Sequence, residues 1–253
     1  MKPPHNDAVA WVTGAGKGIG RALALRLAAA GWSVAASART EEDLASLEAA
    51  CPSRRITGFP LDVTDAAGTE AVVAQIETRL GRLDLVVLNA GTHAPTPVTK
   101  FSTATFRRLV DTNLMGAVHG LEAIIPRLIA RKAGRIAVVA SLAGYRGLPT
   151  AAAYGATKAA LINMCEALRP ELDKHGVVLQ LINPGFVQTP LTDKNDFTMP
   201  FLMPVEDAVK KIMRGLRGGA FEIAFPGRFV FLMRLLRHMP DRLFFALTAR
   251  MIG

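Results

Sequence analysis

Residues 8–30 read AVAWVTGAGKGIGRALALRLAAA, and this stretch decides the fold. It opens on an apolar run, Ala8–Thr13, passes through a turn with glycines at 14, 16, 18 and 20, and continues at helical spacing over Gly20–Ala30. A strand, a glycine-rich turn and a helix in that order make the first half of a βαβ unit. The turn also has a chemical use. Glycine lets the backbone approach a pyrophosphate, and the unsatisfied N–H groups at a helix start attract its charge. Gly14, Gly16, Lys17, Gly18, Ile19 and Gly20 are therefore candidate cofactor-binding residues. Their spacing departs from GxGxxG, and taken alone such a string also fits a purely structural tight turn.

The same alternation continues outward. Apolar runs at Ala8–Thr13, Ser33–Ala38, Arg55–Phe59, Asp84–Leu88, Arg135–Ala140, Val177–Ile182 and Phe221–Phe225 predict seven strands. They are nearly continuous in hydrophobicity, as strands covered by helices on both faces must be. Between them, Gly20–Ala30, Glu41–Ala50, Ala66–Leu80, Thr103–Arg131, Ala152–Lys174 and Val205–Arg217 have helical length and spacing, with Thr40, Asp65 and Ser102 as N-caps. The expectation is an α/β fold, a single Rossmann-type doubly wound domain with a seven-stranded parallel sheet and helices on both faces, spanning residues 1–226. Residues 227–253 form a basic helical tail.

Composition narrows the function classes. With 253 residues, 50 % hydrophobic and 20 % charged, the chain can bury a core, and disorder and fibrous folds are excluded. Cys51 and Cys165 stand 114 positions apart without ligand spacing, which predicts no metal site and no disulfide staple. The opening MKPPHND is not a secretory signal, and no long uncharged apolar segment predicts a spanning helix. A cytoplasmic protein is expected. The net charge of +9 is concentrated at the end: Arg214–Gly253 holds seven arginines against Glu222 and Asp241. No zinc-finger or RNA-binding pattern accompanies it, so nucleic acid is not the expected partner.

Ligands of doubly wound sheets lie beyond the carboxyl ends of the strands, and the informative residues follow those ends. After the second strand the chain reads Ser37, Ala38, Arg39, Thr40, where an acid would accept hydrogen bonds from a ribose 2′-hydroxyl. Arg39 instead offers a forked donor suited to phosphate, with Lys17 nearby, so NADP(H) is preferred over NAD(H). Further along, Tyr154 and Lys158 are four residues apart on the Ala152–Lys174 helix, hence on one face, and Ser141 follows the fifth apolar run. A cation beside a phenol lowers its pKa, and a serine hydroxyl beside both can hold a carbonyl oxygen. Tyr154 is the candidate general acid and base.

Together these motifs resemble the short-chain dehydrogenase/reductase family over nearly the whole chain to about Pro204. The matching strings are TGAGKGIG, Asp62-Val63, LNAG at Leu88–Gly91, Asn113, Ser141, YGATK at Tyr154–Lys158 and NPGFVQTP at Asn183–Pro190. The resemblance implies a catalytic set of Asn113, Ser141, Tyr154 and Lys158. In that set Tyr154 donates the proton, and Lys158 lowers its pKa and holds the nicotinamide ribose. Ser141 positions the substrate oxygen, and Asn113 keeps its helix open around a proton-relaying water. It further implies that Asp62 and Val63 meet the adenine, that Asn89, Ala90 and Gly91 support the cleft, and that Pro184, Gly185, Val187 and Thr189 flank the nicotinamide. Homodimers or homotetramers are also implied.

The substrate side is read from composition. The loop 189–205 carries Leu191, Phe197, Met199 and Phe201, and with Phe186 it suits a lipophilic carbonyl or alcohol, unless these groups merely anchor the loop. His93 is a further candidate substrate contact or a solvated loop histidine, and Tyr145 and Arg146 either line the substrate entrance or simply build the loop after Ser141. Cys165 reads as packing. The tail, two short helices split at Pro240 with Arg234 and Arg237 on one face and Arg242 and Arg250 on the next, packs on its own domain or a sister subunit, or lies on a membrane surface. Alternatives to a carbonyl reductase are a 3-oxoacyl thioester reductase and a cofactor-binding scaffold without turnover.

Overall fold

The computed structural model describes residues 1–194 and 199–250. Seven strands, β1 Val9–Thr13, β2 Ser33–Ala38, β3 Ile56–Pro60, β4 Leu83–Leu88, β5 Arg135–Val139, β6 Val178–Pro184 and β7 Glu222–Phe225, form one parallel sheet in the order β3-β2-β1-β4-β5-β6-β7. The order reverses between β1 and β4, which opens a crevice at their carboxyl ends. All five residues of β1 are buried, and the Trp11 indole N–H, which could not be left unpaired there, donates to Ser37 Oγ at 3.0 Å.

The helices divide between the two faces. On one face lie α1 Gly18–Ala29, α2 Glu41–Ala49 and α7 Val205–Gly215, burying Leu23, Leu27, Leu44, Leu47 and Ile212 against the sheet. On the other lie α3 Ala66–Leu80, α5 Gly116–Arg131 and α6 Ala152–Lys174, with Ile76, Ile124 and Leu161 in the core. Each such leucine or isoleucine contributes about 1.5–3 kcal/mol by leaving water. The tail helices α8 Gly227–His238 and α9 Asp241–Ala249 join this second face and add Phe229, Val230, Met233, Leu236 and Phe244 to its core.

Two differences from the sequence expectation matter for the site. The predicted helix Thr103–Arg131 is three pieces: α4 Thr103–Leu109, a wide π-type turn over Val110–Met115, and α5. A π turn adds one residue to the helical circuit without breaking the apolar stripe, so periodicity does not reveal it. Strand β6 runs to Pro184 because Asn183 and Pro184 pair with Ala224 and Phe225 of β7. Among the expected caps, Asp65 accepts from Gly68 N and Ser102 from Thr105 N, whereas the Thr40 side chain does not cap α2.

Candidate active site

The glycine turn after β1 is held by long-range hydrogen bonds. Thr13 Oγ1 accepts from the backbone N–H groups of Asn89 and Ala90 at 3.0 and 3.1 Å, and Asn89 Nδ2 donates to the carbonyls of Thr13 and Gly14. The turn from β1 and the LNAG segment from β4 thus form one rigid floor. A Cβ on Gly20 would sit 2.2 Å from the Gly14 carbonyl oxygen, so only glycine lets α1 start this close to the turn. Gly18 has φ +56° and faces Thr189, whose Cγ2 would lie 3.2 Å from a Cβ there. The N-cap of α1, Lys17, makes no side-chain cap. A bare helix N-terminus with Thr189 opposite fits a pyrophosphate.

Beyond the ends of β2 and β3 a cleft of about 780 Å³ is bounded by Arg39, Asp62, Thr64, Arg107, Asp111 and His119. Arg39 is exposed at its edge. Asp62 accepts from Thr64 N and Oγ1, and these bonds, aided by Arg39, hold its carboxyl below the ordinary carboxylate value. Val63, expected at the adenine, is 8 % exposed, with its side chain packed against Gly116 and its carbonyl bonded to His119. The missing acid after β2 has a partial substitute: Asp43 of α2 lies 3.4 Å from the Lys17 ammonium. A carboxylate entering from the next helix leaves no mark in the sequence near the glycine turn.

The candidate catalytic groups converge at the ends of β4 and β5. Asn113 sits in the π turn and is fully engaged: Oδ1 accepts from Thr92 N at 2.7 Å, and Nδ2 donates to Thr92 O and Thr157 Oγ1 at 3.0 and 3.1 Å. It ties three segments around the reaction centre. Ser141 Oγ lies 3.4 Å from the Pro184 carbonyl and accepts from Ala143 N. Lys158 is 4 % exposed and donates to the Val139 carbonyl at 2.9 Å. Burial pushes the Lys158 ammonium down to about 8, and its Nζ stands 5.6 Å from the centre of the Tyr154 ring.

Burial likewise pushes the half-buried Tyr154 phenol up, opposed by a hydrogen bond from Ser141. Desolvation is the larger of the two causes, and it favours the neutral phenol over the phenolate. His93 packs edge-on against Tyr154 with ring centres 4.9 Å apart, which places it in the site.

Comparison with known proteins matches residues 8–199 to the short chain dehydrogenase family, more than three quarters of the chain. The chain belongs to the short-chain dehydrogenase family. It is 40 % identical over 244 residues to an uncharacterized oxidoreductase of Myxococcus xanthus, covering 96 % of both chains. It is 34 % identical over 76 % of its length to mouse dehydrogenase/reductase SDR family member 7, of which it spans 59 %. Among solved structures, a short-chain dehydrogenase from Streptomyces avermitilis superposes with TM-score 0.79 at 27 % identity, covering 90 % of this chain and 91 % of that one. An actinorhodin polyketide ketoreductase variant with NADPH superposes with TM-score 0.80 at 26 % identity, covering 90 % and 98 %. Family membership makes this chain an oxidoreductase acting between CH–OH and C=O groups with a nicotinamide dinucleotide.

The loop expected to cover the substrate packs partly on the tail of this short-chain dehydrogenase. Phe186 stacks on Phe229 of α8, and Phe201 stacks on the same ring, at 5.5 and 5.8 Å. The base of the loop is closed by a bridge between Val187 and Met203, with Met203 N donating to Phe186 O. Leu191 and Met199 are half-buried within the loop, and Phe197 lies outside the described residues. A Cβ on Gly185 would lie 2.7 Å from Phe229, so the segment expected to flank the nicotinamide is in direct contact with α8.

Tyr145 and Arg146 are corrections. Tyr145, expected at the substrate entrance, is 8 % exposed, and its hydroxyl donates to Glu222 Oε1. The same carboxylate accepts from Asn183 Nδ2 at 2.6 Å and from Arg234 at 2.7 Å. Arg146 donates to the carbonyls of Leu236, Arg237 and Met239, pairs with Asp241, and lies 4.2 Å over the Phe244 ring. Both residues clasp the tail. Glu222, Thr157 and Asp43 escaped the sequence reading because each acts through partners far along the chain.

Proposed function

We propose that the protein is an NADP(H)-dependent reductase of lipophilic carbonyl compounds, working reversibly on the corresponding alcohols. The observation that carries this reading is the convergence of Ser141, Tyr154 and Lys158 beside Pro184 at the end of β6, with Arg39 following β2 on the same edge of the parallel sheet. NADPH, when bound, supplies the hydride to the carbonyl carbon. Gly18, Ile19 and Gly20 hold the pyrophosphate on the α1 N-terminus, while Arg39 and Lys17 meet the 2′-phosphate. Ser141 donates to the substrate oxygen, Tyr154 transfers its phenolic proton to that oxygen, and the Lys158 ammonium stabilises the phenolate left behind. Phe186, Met199 and Phe201 supply the apolar wall that favours a lipophilic substrate.

The test is NADPH oxidation across a panel of short polar, long-chain and polycyclic carbonyls, with parent and Tyr154→Phe. The long-chain or polycyclic set is expected to give the higher kcat/KM, and Tyr154→Phe to lose about 10²–10⁴-fold in kcat with cofactor binding retained. Preference for the polar set defeats the substrate class. Turnover unaffected by Tyr154→Phe, or nucleotide binding without any turnover, defeats the catalytic reading.

A further inference from the structure

Helix α8 has two apolar faces. One, with Phe229, Val230, Met233 and Leu236, is buried in the core. The opposite face presents Phe231 at 73 % exposure and Leu235 at 53 %, with Leu232 beside them, and α9 adds Leu243 at 61 %, Phe245 at 63 % and Leu247. A helix on a globular surface ordinarily turns polar groups outward, so an outward apolar stripe of this size marks a contact surface.

Charge selects the occupant. Arg228, Arg234, Arg237 and Arg242 are exposed on these two helices and Arg250 follows α9; Arg234 is paired with Glu222, and Asp241, the one acid among the helices' described residues, with Arg146. An apolar stripe rimmed by arginines matches the boundary between anionic headgroups and acyl chains. A second copy of the same surface would bring the arginines against each other. No helix among the described residues is long and apolar enough to cross a membrane, so the geometry is that of helices lying on it.

We infer that the outward face of α8–α9 docks on an anionic lipid surface, with the Phe201–Leu202 end of the substrate loop at its margin. Phe201 and Leu202 are each 44 % exposed, and Phe201 stacks on Phe229, which is one turn from Leu232. The apolar path thus runs from the lipid-facing stripe to the substrate loop, which lets a carbonyl compound dissolved in the bilayer reach the site. The docking stands on the surface alone, while its link to turnover rests on the lipophilic-carbonyl reading above.

The experiment is co-sedimentation of the full chain with phosphatidylglycerol-containing and pure phosphatidylcholine vesicles, for the parent, Phe231→Glu/Leu235→Glu and Arg228→Gln/Arg242→Gln. The parent is expected to bind the anionic vesicles and release from them at high salt, and the apolar variant to stay in the supernatant. At about fivefold per arginine, the arginine variant binds about twenty-five-fold more weakly. All three retain parental turnover of a water-soluble carbonyl with NADPH. Equal partitioning of parent and variants, indifference to lipid charge, or a concentration-dependent dimer abolished by Phe231→Glu/Leu235→Glu without vesicle binding overturns the inference. Vesicle binding without turnover of any carbonyl upholds the docking and defeats the catalytic reading instead.

Discussion

Arg39 and Asp43 act in opposite directions on the same small volume. Arg39 borders the cleft at the end of β2, and Asp43 approaches both Gly16 and the Lys17 ammonium. A 2′-phosphate bound there would gain a forked donor from the first and meet repulsion from the second, which also occupies Lys17. Arg39→Gln is therefore expected to weaken NADPH by about tenfold or more while leaving NADH within about twofold, since a charge-assisted hydrogen bond contributes about 1.5–3 kcal/mol. Asp43→Asn is expected to tighten NADPH about threefold to tenfold, because the carboxylate is partly solvated. Fluorescence titration with both nucleotides checks the pair. A parallel loss of both nucleotides in Arg39→Gln would show that the guanidinium reads the adenine or ribose instead.

At the scale of elements, one carboxylate helps tie α8 to the sheet: Glu222 of β7 pairs with Arg234. Burial pushes Glu222 up, but hydrogen bonds from Tyr145, Asn183 and Arg234 outweigh it and keep its carboxyl below the ordinary 4.5. A group depressed on folding contributes stability that is present above its unfolded value and is lost as the pH falls through its folded one. Protection of α8 amides from hydrogen exchange is thus expected to drop as the pH falls below 4.5, before the rest of the sheet is affected. Glu222→Gln should lose about 1–2 kcal/mol of α8 protection already at neutral pH and flatten that acid response. An unchanged acid response in Glu222→Gln would assign it to other carboxyls.

The elements themselves were largely legible. All seven strands and the helices α3 and α6 stand where apolar runs and spacing put them, because buried parallel strands and amphipathic helices are local patterns. The π turn at Val110–Met115 was not, since a one-residue insertion hides inside a continuous apolar stripe. Asn113, Ser141, Tyr154 and Lys158 stand near one another in the structure, whereas the partner of Tyr145 was not legible. A tyrosine in a loop carries no sign of a glutamate 77 positions away.

For the whole molecule, the site costs stability. Lys158 is buried, and its ammonium falls from 10.5 to about 8 on folding. Below pH 8 both folded and unfolded chains carry the charge, and folding bears the full desolvation cost. Between 8 and 10.5 the folded lysine sheds its proton first, so stability rises with pH; above 10.5 the cost is gone. Lys158→Met is therefore expected to raise the melting midpoint at pH 7 by about 2–4 °C while abolishing turnover, an advantage that vanishes by pH 10.5. Thermal unfolding across that pH range without added nucleotide checks the sign. A Met variant less stable at pH 7 would mean that the bond to Val139 outweighs the buried charge.

Gly185 has a consequence for anyone trimming this chain. Its backbone lies against Phe229 and Pro226, so the rim of the reaction cleft and the first turn of the tail share one wall. An engineer seeking a minimal catalyst by stopping at residue 226 would remove the ring on which Phe186 and Phe201 both rest, and would leave a cleft with one side missing.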